Sequence, residues 1–113
     1  MTASDLAALD ALFGPGVQEV ADVGISFIAL PHVEMPAGCG VESVSGLYAA
    51  RQLDGYHSRL FLSAPVTLPN GAPPATAVYF NRQWYAVSIQ GVSPHLPPHQ
   101  AILAHLSQYK RDT

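Results

Sequence analysis

The chain has 113 residues and a mass of 12.0 kDa, which fits one domain spanning residues 1–113, because a second core would not fit. Hydrophobic residues make up 49% and charged residues 12%, a composition that excludes a disordered chain. The formal net charge of −3 argues against nucleic-acid binding, which needs a basic surface to neutralise phosphates. A chain with so few charged residues must expose much apolar surface. We therefore expect a protein partner or a homodimer to cover part of it.

The cysteine and histidine content limits the redox and metal chemistry. Cys39 is the single cysteine and cannot form an internal disulfide. His95 and His99 are close in sequence, but Pro97 and Pro98 prevent the helical turn that would place both rings on one side. The sequence also has no glycine-rich motif of the kind that cradles phosphates. We therefore expect neither a metal site nor a cofactor.

No stretch of the sequence has the pattern of a targeting or membrane segment. Residues 1–12 lack the basic start and the continuous apolar core of a signal peptide. No apolar run approaches the length that spans a bilayer. The expected location is cytoplasmic, without membrane association.

The N-terminal part of the chain predicts a helix followed by extended segments. Ser4 can cap the helix, and Gly14-Pro15-Gly16 ends it. Apolar residues at helical spacing give this helix one apolar stripe, formed by Leu6, Leu9, Leu12 and Phe13. Residues 24–30 are a strong strand candidate, whereas residues 17–23 have only weak extended character.

Residues 40–90 contain short apolar strands separated by turn signals. The predicted strands are residues 44–51, 59–66, 76–80 and 84–89. Asp54-Gly55 favours a tight hairpin turn, and the prolines of residues 65–74 favour a wide, rigid loop. A C-terminal helix follows from Pro98, with an apolar stripe of Ile102, Leu103, Leu106 and Tyr109. The expected fold is α+β: an antiparallel β-meander of four to five strands flanked by an N-terminal and a C-terminal helix.

Two residues are of chemical interest by themselves. Cys39 is the strongest nucleophile candidate, and Gly38 and Gly40 would let a substrate approach it closely. His32 is the nearest histidine in sequence, but no base is identified beside the thiol, so an inert cysteine is the alternative. Trp84, the single tryptophan, lies in a predicted strand, where it either packs in the core or contacts a bound peptide.

Three short motifs resemble those of ubiquitin-conjugating enzymes. Gly55-Tyr56 precedes a strand, as the glycine-tyrosine-proline segment of that superfamily does, with His57 in place of the proline. Leu68-Pro69-Asn70-Gly71 is similar to the histidine-proline-asparagine motif, with leucine replacing histidine. The tryptophan, proline and helix that follow the family's active site have counterparts in Trp84, Ser93-Pro94 and residues 100–106. In motif order the chain resembles the ubiquitin-conjugating-like proteins of bacterial ubiquitin-like operons.

The resemblance implies a fold like that of ubiquitin-conjugating enzymes and a role in a bacterial ubiquitin-like pathway. Asn70 would match the asparagine that helps to stabilise the oxyanion during transfer of a ubiquitin-like C-terminus. Tyr56, His57 and Trp84 would contribute to partner binding. The essential cysteine should follow Asn70, but residues 71–83 contain no thiol. The leading expectation is a non-catalytic subunit that binds a ubiquitin-like protein or an activating enzyme.

Two alternatives to this expectation stay open at the level of sequence. One is an active transferase that uses Cys39 to form a thioester. The other is an unrelated small module for protein interaction or homodimerisation, which the low charge fraction would also fit.

Overall fold

The computed structural model describes residues 2–51, 55, 57–87, 89 and 91–110. Within these residues the elements, in chain order, are α1 (Ala3–Phe13), β1 (Gln18–Asp22), β2 (Ile25–Glu34), β3 (Ser43–Ala49), β4 (Arg59–Leu62), β5 (Ala75–Tyr79), β6 (Arg82–Ala86) and α2 (Pro98–Ser107). The expected α+β class and the two flanking helices are confirmed. None of the described helices has the length and apolar character needed to cross a membrane.

The described strands form one antiparallel sheet in the order β1-β2-β3-β4-β6-β5. Six strands are found among the described residues rather than four to five, because residues 18–22 pair with β2 despite their weak extended signal. Of the meander expected from residues 44–89, the β3–β4 and β5–β6 pairs are present, and β1 and β2 extend the sheet on the other side of β3. The last two strands do not continue the meander in chain order, since β6 lies beside β4 and β5 forms the edge. The proline-containing loop between β4 and β5 is long enough to carry the chain past the position next to β4.

The two helices begin close to their expected positions. Thr2, rather than Ser4, caps α1: its hydroxyl accepts from the Asp5 N–H at 3.0 Å, and the Asp5 carboxylate accepts from the Thr2 N–H at 3.2 Å. Pro98 opens α2, where its missing N–H costs no hydrogen bond.

Only part of each predicted apolar stripe is buried. In α1, Leu9 and Phe13 are buried, while Leu6 and Leu12 are exposed. In α2 the buried residues are Ala101, Ile102, His105 and Leu106. The expectation for Leu103 is therefore wrong, since it is 44% exposed. His105 occupies the buried position that an apolar residue would be expected to fill.

The sheet has a hydrophobic cluster on each face. The cluster on the helix side includes Leu9 and Phe13 of α1, Leu60 and Leu62 of β4, and Ile102 and Leu106 of α2. The cluster on the opposite face, which neither helix covers, consists of Phe27, Leu47, Ala49, Phe61, Tyr79, Trp84 and Ala86. Both faces of the sheet are therefore buried to a large extent.

The second face is buried because the sheet curls. In the sheet order β5 lies four positions from β2, which would place the two strands roughly 19 Å apart in a flat sheet. The rings of Phe27 on β2 and Tyr79 on β5 are nevertheless 4.7 Å apart between centroids. Among the residues that the structure describes, one register pair, Leu62 with Tyr85, connects β6 to β4, so the β5–β6 hairpin can bend across the helix-free face.

The curl brings two hairpin turns into contact. Val23-Gly24 joins β1 to β2, and Phe80-Asn81 joins β5 to β6. All four turn residues have positive φ, as a two-residue turn of type I′ requires. The Asp22 carboxylate accepts a hydrogen bond from the Phe80 N–H at 2.8 Å, which fastens the second turn to the first.

Candidate functional site

A groove on the helix-free face is the strongest candidate for a binding site. It has a volume of about 380 Å³ and lies between β1, β2 and β3 on one side and β6 on the other. Ala29 and Leu47 contribute to its apolar floor, and Trp84 and Arg82 line the side formed by the hairpin. We call this cavity the sheet groove. It exists because the hairpin covers only part of the curled face.

Arg82 and Trp84 form one structural unit at the sheet groove. The two residues are two positions apart on β6, so their side chains lie on the same face of the strand. The Arg82 guanidinium lies 4.8 Å from the centre of the Trp84 ring. The Trp84 indole N–H donates to the Tyr79 carbonyl at 3.0 Å, which fixes the plane on which the guanidinium stacks. The tryptophan is only 5% exposed, so packing is its main role.

The Arg82 guanidinium is available to a ligand. The side chain is exposed, and no ion pair between it and a carboxylate is found within the part of the chain that the structure describes. A stacked guanidinium keeps its hydrogen-bond donors in a fixed plane, which suits a carboxylate that approaches along that plane. The sheet groove thus offers apolar surface together with one oriented positive charge.

A second cluster of polar side chains is buried on the helix side of the sheet. Ser58 precedes β4, and its hydroxyl oxygen lies 2.8 Å from the Val92 carbonyl and 2.9 Å from Nε2 of His105. A carbonyl can only accept, so the single hydroxyl proton of Ser58 points at Val92. His105 must then donate from Nε2 to the serine oxygen. This tautomer makes the histidine a donor to Ser58, so it cannot act as a base toward that hydroxyl.

Burial keeps this cluster uncharged. His105 is 2% exposed, and its burial, assisted by the positive charge of Arg59, lowers its pKa from 6.5 to about 4. Burial also raises the pKa of Tyr48, whose ring lies 6.0 Å from the imidazole, and the nearby Ser58 hydroxyl offsets only part of that rise. Within the described part of the chain, the Tyr48 hydroxyl has no hydrogen-bond partner of good geometry. The cluster therefore connects β4, the segment after β6 and α2 as a structural element.

The sequence gives little indication of this buried cluster. Ser58 and His105 are 47 positions apart, and neither belongs to a recognisable motif. The one available signal is that His105 falls among the apolar residues of α2, three positions after Ile102. A histidine on the buried face of a helix has to find a polar partner, and that partner could not be identified from one sequence.

Cys39 lies in the connection between β2 and β3 and packs partly against the helix-side cluster. Its thiol donates to the Tyr109 carbonyl across 3.5 Å. The Tyr109 side chain is buried, and this burial, together with the neighbouring Cys39, raises the pKa of the phenol to about 12. Reactive cysteines usually have a cation or a helix N-terminus beside the sulfur, whereas this thiol faces a carbonyl oxygen. This contact is typical of a structural cysteine.

Asn70 is exposed and closes its own loop. Its side-chain oxygen accepts from the Ala72 N–H at 2.9 Å, and the Gly71 N–H donates to the Leu68 carbonyl at 2.8 Å. This is the local turn chemistry that asparagine favours. Cys39 and Asn70 thus lie in different loops. Cys39 bonds to Tyr109 and Asn70 bonds to Ala72, and the two side chains do not bond to each other.

Of the remaining predicted site residues, the described His57 does not line the sheet groove. His57 is exposed and lines a separate cavity of about 490 Å³ together with Gly91 and His95. Tyr56 lies outside the described residues, as does Asp54 of the predicted turn. Among the residues described, no three His, Cys, Asp or Glu side chains are grouped so that they could hold a metal ion. Comparison of the chain with protein-family models, with curated proteins and with solved structures finds no match.

Proposed function

We propose that this chain is a non-catalytic binding domain of a bacterial ubiquitin-like pathway, and that it holds a partner protein in the sheet groove. One observation supports this proposal above all: the stacked guanidinium of Arg82 is open to a ligand, beside apolar surface. The groups that could perform chemistry, Cys39 and Asn70, already make hydrogen bonds within the fold. Binding therefore fits the described residues better than catalysis does.

The shape of the sheet groove suits an extended segment of a partner. Its β1 side, which includes Gln18 and Val20, belongs to an edge strand. Because Glu19 opposes the pairing of a further strand with this edge, the segment would lie across the sheet face rather than alongside β1. Apolar side chains of such a peptide would cover Ala29 and Leu47, while a carboxylate would pair with Arg82. The expected ligand is an extended peptide segment with an acidic side chain or a terminal carboxylate.

The pathway is proposed from the sequence motifs. Gly55-Tyr56, Leu68-Pro69-Asn70-Gly71 and the tryptophan-proline-helix order resemble ubiquitin-conjugating enzymes, whose partners are a ubiquitin-like protein and an activating enzyme. The departures from those motifs, His57 for proline and Leu68 for histidine, fit a chain that has kept a binding role without the transfer reaction.

Calorimetry with a bacterial ubiquitin-like protein and its activating enzyme tests this proposal. We expect the wild type to bind one of the two, and Arg82→Ala to weaken that binding about tenfold, the loss expected for a charge-assisted pair worth about 1.4 kcal/mol. Lys110→Ala removes an exposed cation that does not line the sheet groove and is the matched control. Absence of binding by the wild type, or equal binding by both variants, would refute the proposal.

An active transferase is the second candidate, since Gly38 and Gly40 beside Cys39 line a cavity of about 620 Å³. In that reaction the acyl carbon of the partner's C-terminus would leave the thiol of the activating enzyme and form a new thioester with the Cys39 sulfur. Non-reducing electrophoresis after incubation with the activating enzyme, ATP and the ubiquitin-like protein would detect the adduct. Our proposal predicts no adduct. A thiol-sensitive adduct that Cys39→Ser abolishes would establish the transferase instead.

A further inference from the structure

The two edge strands of the sheet, β1 and β5, differ in how well they are protected against pairing with a strand of another molecule. The β1 edge carries the carboxylates Glu19 and Asp22. The β5 edge, Ala75–Tyr79, has neither a charged residue nor a proline, and its register with β6 is regular, without a bulge. Charges, prolines and bulges are the usual means by which an exposed edge avoids pairing with another strand. The β5 edge lacks all three, and Val78 on it is 69% exposed.

The hairpin register shows which backbone groups of β5 point outward. Tyr79 pairs with Arg82 across the two-residue turn, and the closing pair of such a turn is hydrogen-bonded. Hydrogen-bonded and non-bonded pairs alternate along an antiparallel ladder, so Ala77 also bonds to β6. The N–H and C=O groups of Thr76 and Val78 therefore face away from β6, toward the open edge.

We infer that the β5 edge binds the β5 edge of a second copy of this chain, antiparallel about a twofold axis at Ala77. In this arrangement Thr76 of one copy lies opposite Val78 of the other, on both sides of the axis. Each such pair exchanges two backbone hydrogen bonds, giving about four in total. The two sheets then form one continuous sheet with the acidic β1 strands at its outer edges.

The occupant is a second copy because the strand is complementary to itself. An isologous interface brings the same residues together from both sides, so any charge near the axis would meet its own sign. The β5 strand carries no charge, and small Ala77 lies at the axis. Thr76 and Val78 are both β-branched, and such residues pair favourably across strands. Self-pairing through the β1 edge would instead bring the Glu19 carboxylates of the two copies close to each other.

Sedimentation equilibrium over about a hundredfold range of concentration tests the inference, because a dimer dissociates on dilution. We expect the wild type to reach twice the 12.0 kDa chain mass. Val78→Lys should weaken dimerisation at least about tenfold, since it places a charge on the edge. Thr76→Pro should do the same because it removes an outward N–H, at an edge position where proline is tolerated.

Ala21→Lys on β1 is the matched control, because it adds the same charge to an exposed position of the opposite edge strand. It should leave the dimer unchanged. Circular dichroism identifies any variant that has failed to fold. Because Val78→Lys adds a charge and Thr76→Pro removes an N–H, either variant tests the β5 interface by itself if it folds. A wild type that stays monomeric would overturn the inference. This holds even if its β5 edge binds a different protein. A dimer that survives in a folded Val78→Lys or Thr76→Pro variant would also overturn it.

Discussion

His105 makes stability depend on pH in a window set by its two pKa values. In the folded chain burial lowers its pKa to about 4, whereas an unfolded histidine has a pKa near 6.5. Between these values the unfolded chain binds a proton that the folded chain does not. The free energy of unfolding therefore has its full value above pH 6.5. It falls by at most ~3 kcal/mol as the pH decreases toward 4. Urea unfolding between pH 4 and 7 measures this slope.

His105→Gln is the variant that isolates the titration. The glutamine amide can still donate to Ser58, but it does not ionise, so the slope between pH 4 and 6.5 should decrease. His32→Gln changes a side chain that is 53% exposed and should leave the slope as it is in the wild type. Should His105→Gln fail to fold, NMR titration of the wild-type imidazole gives the same information. A folded-state pKa near 6.5 would contradict the buried, neutral assignment.

Whether a residue's hydrogen-bond partner can be predicted from the sequence depends on how close the partner lies along the chain. The turn chemistry of Asn70 involves residues within two positions, so it can be predicted from the sequence alone. The partners of Cys39 and His105 lie 70 and 47 positions away, and only the packed structure identifies them. The stacked pair of Arg82 and Trp84 is intermediate, since alternation along a strand already places both side chains on one face.

At the scale of single elements, the β1–β2 turn contains a strained residue. Val23 has φ of 45°, a backbone conformation that a β-branched residue rarely adopts, and its side chain is 75% exposed. Val23→Asn would create Asn-Gly, the preferred pair for this turn, while losing almost no buried surface. We expect the free energy of unfolding to increase by about 1 kcal/mol, as measured by urea denaturation.

The same substitution in a strand provides the control for this turn. Val78 is 69% exposed and lies in extended backbone on β5, where asparagine is less favourable than valine. Val78→Asn should therefore give no stabilisation, at a protein concentration low enough to keep the chain monomeric. If both variants are stabilised equally, relief of turn strain is not the cause.

The sequence predicts element types better than element order. Most strands and both helices follow from alternation, helical spacing and the positions of proline and glycine, as β2, β3 and β4 show. The exchange of β5 and β6 could not be predicted. Both strands have apolar residues and a short connecting turn, so either one could pair with β4 in a sequence-based argument. The choice is made by long-range packing of Tyr79 on Phe27 and Phe61.

For the whole molecule, the curl of the sheet depends on contacts between its two ends. Asp22 connects them directly, because one carboxylate oxygen accepts from the Phe80 N–H at 2.8 Å and the other from the Val23 N–H at 3.1 Å. Asp22→Ala would remove both bonds. The β5–β6 hairpin would then be retained by the register pair of Tyr85 with Leu62 and by its aromatic contacts.

We expect Asp22→Ala to lower the free energy of unfolding by about 1.5–3 kcal/mol, the range for hydrogen bonds to a charged group. Because the hairpin loses its attachment at the turn, its amide protons should exchange faster than those of β2 and β3, which keep their partners. Hydrogen exchange followed by NMR or mass spectrometry distinguishes the two regions. Glu42→Ala, which removes an exposed carboxylate outside the turns, should change neither region. Uniform acceleration across all strands in Asp22→Ala would mean that the hairpin does not open by itself and that the curled sheet unfolds as one unit.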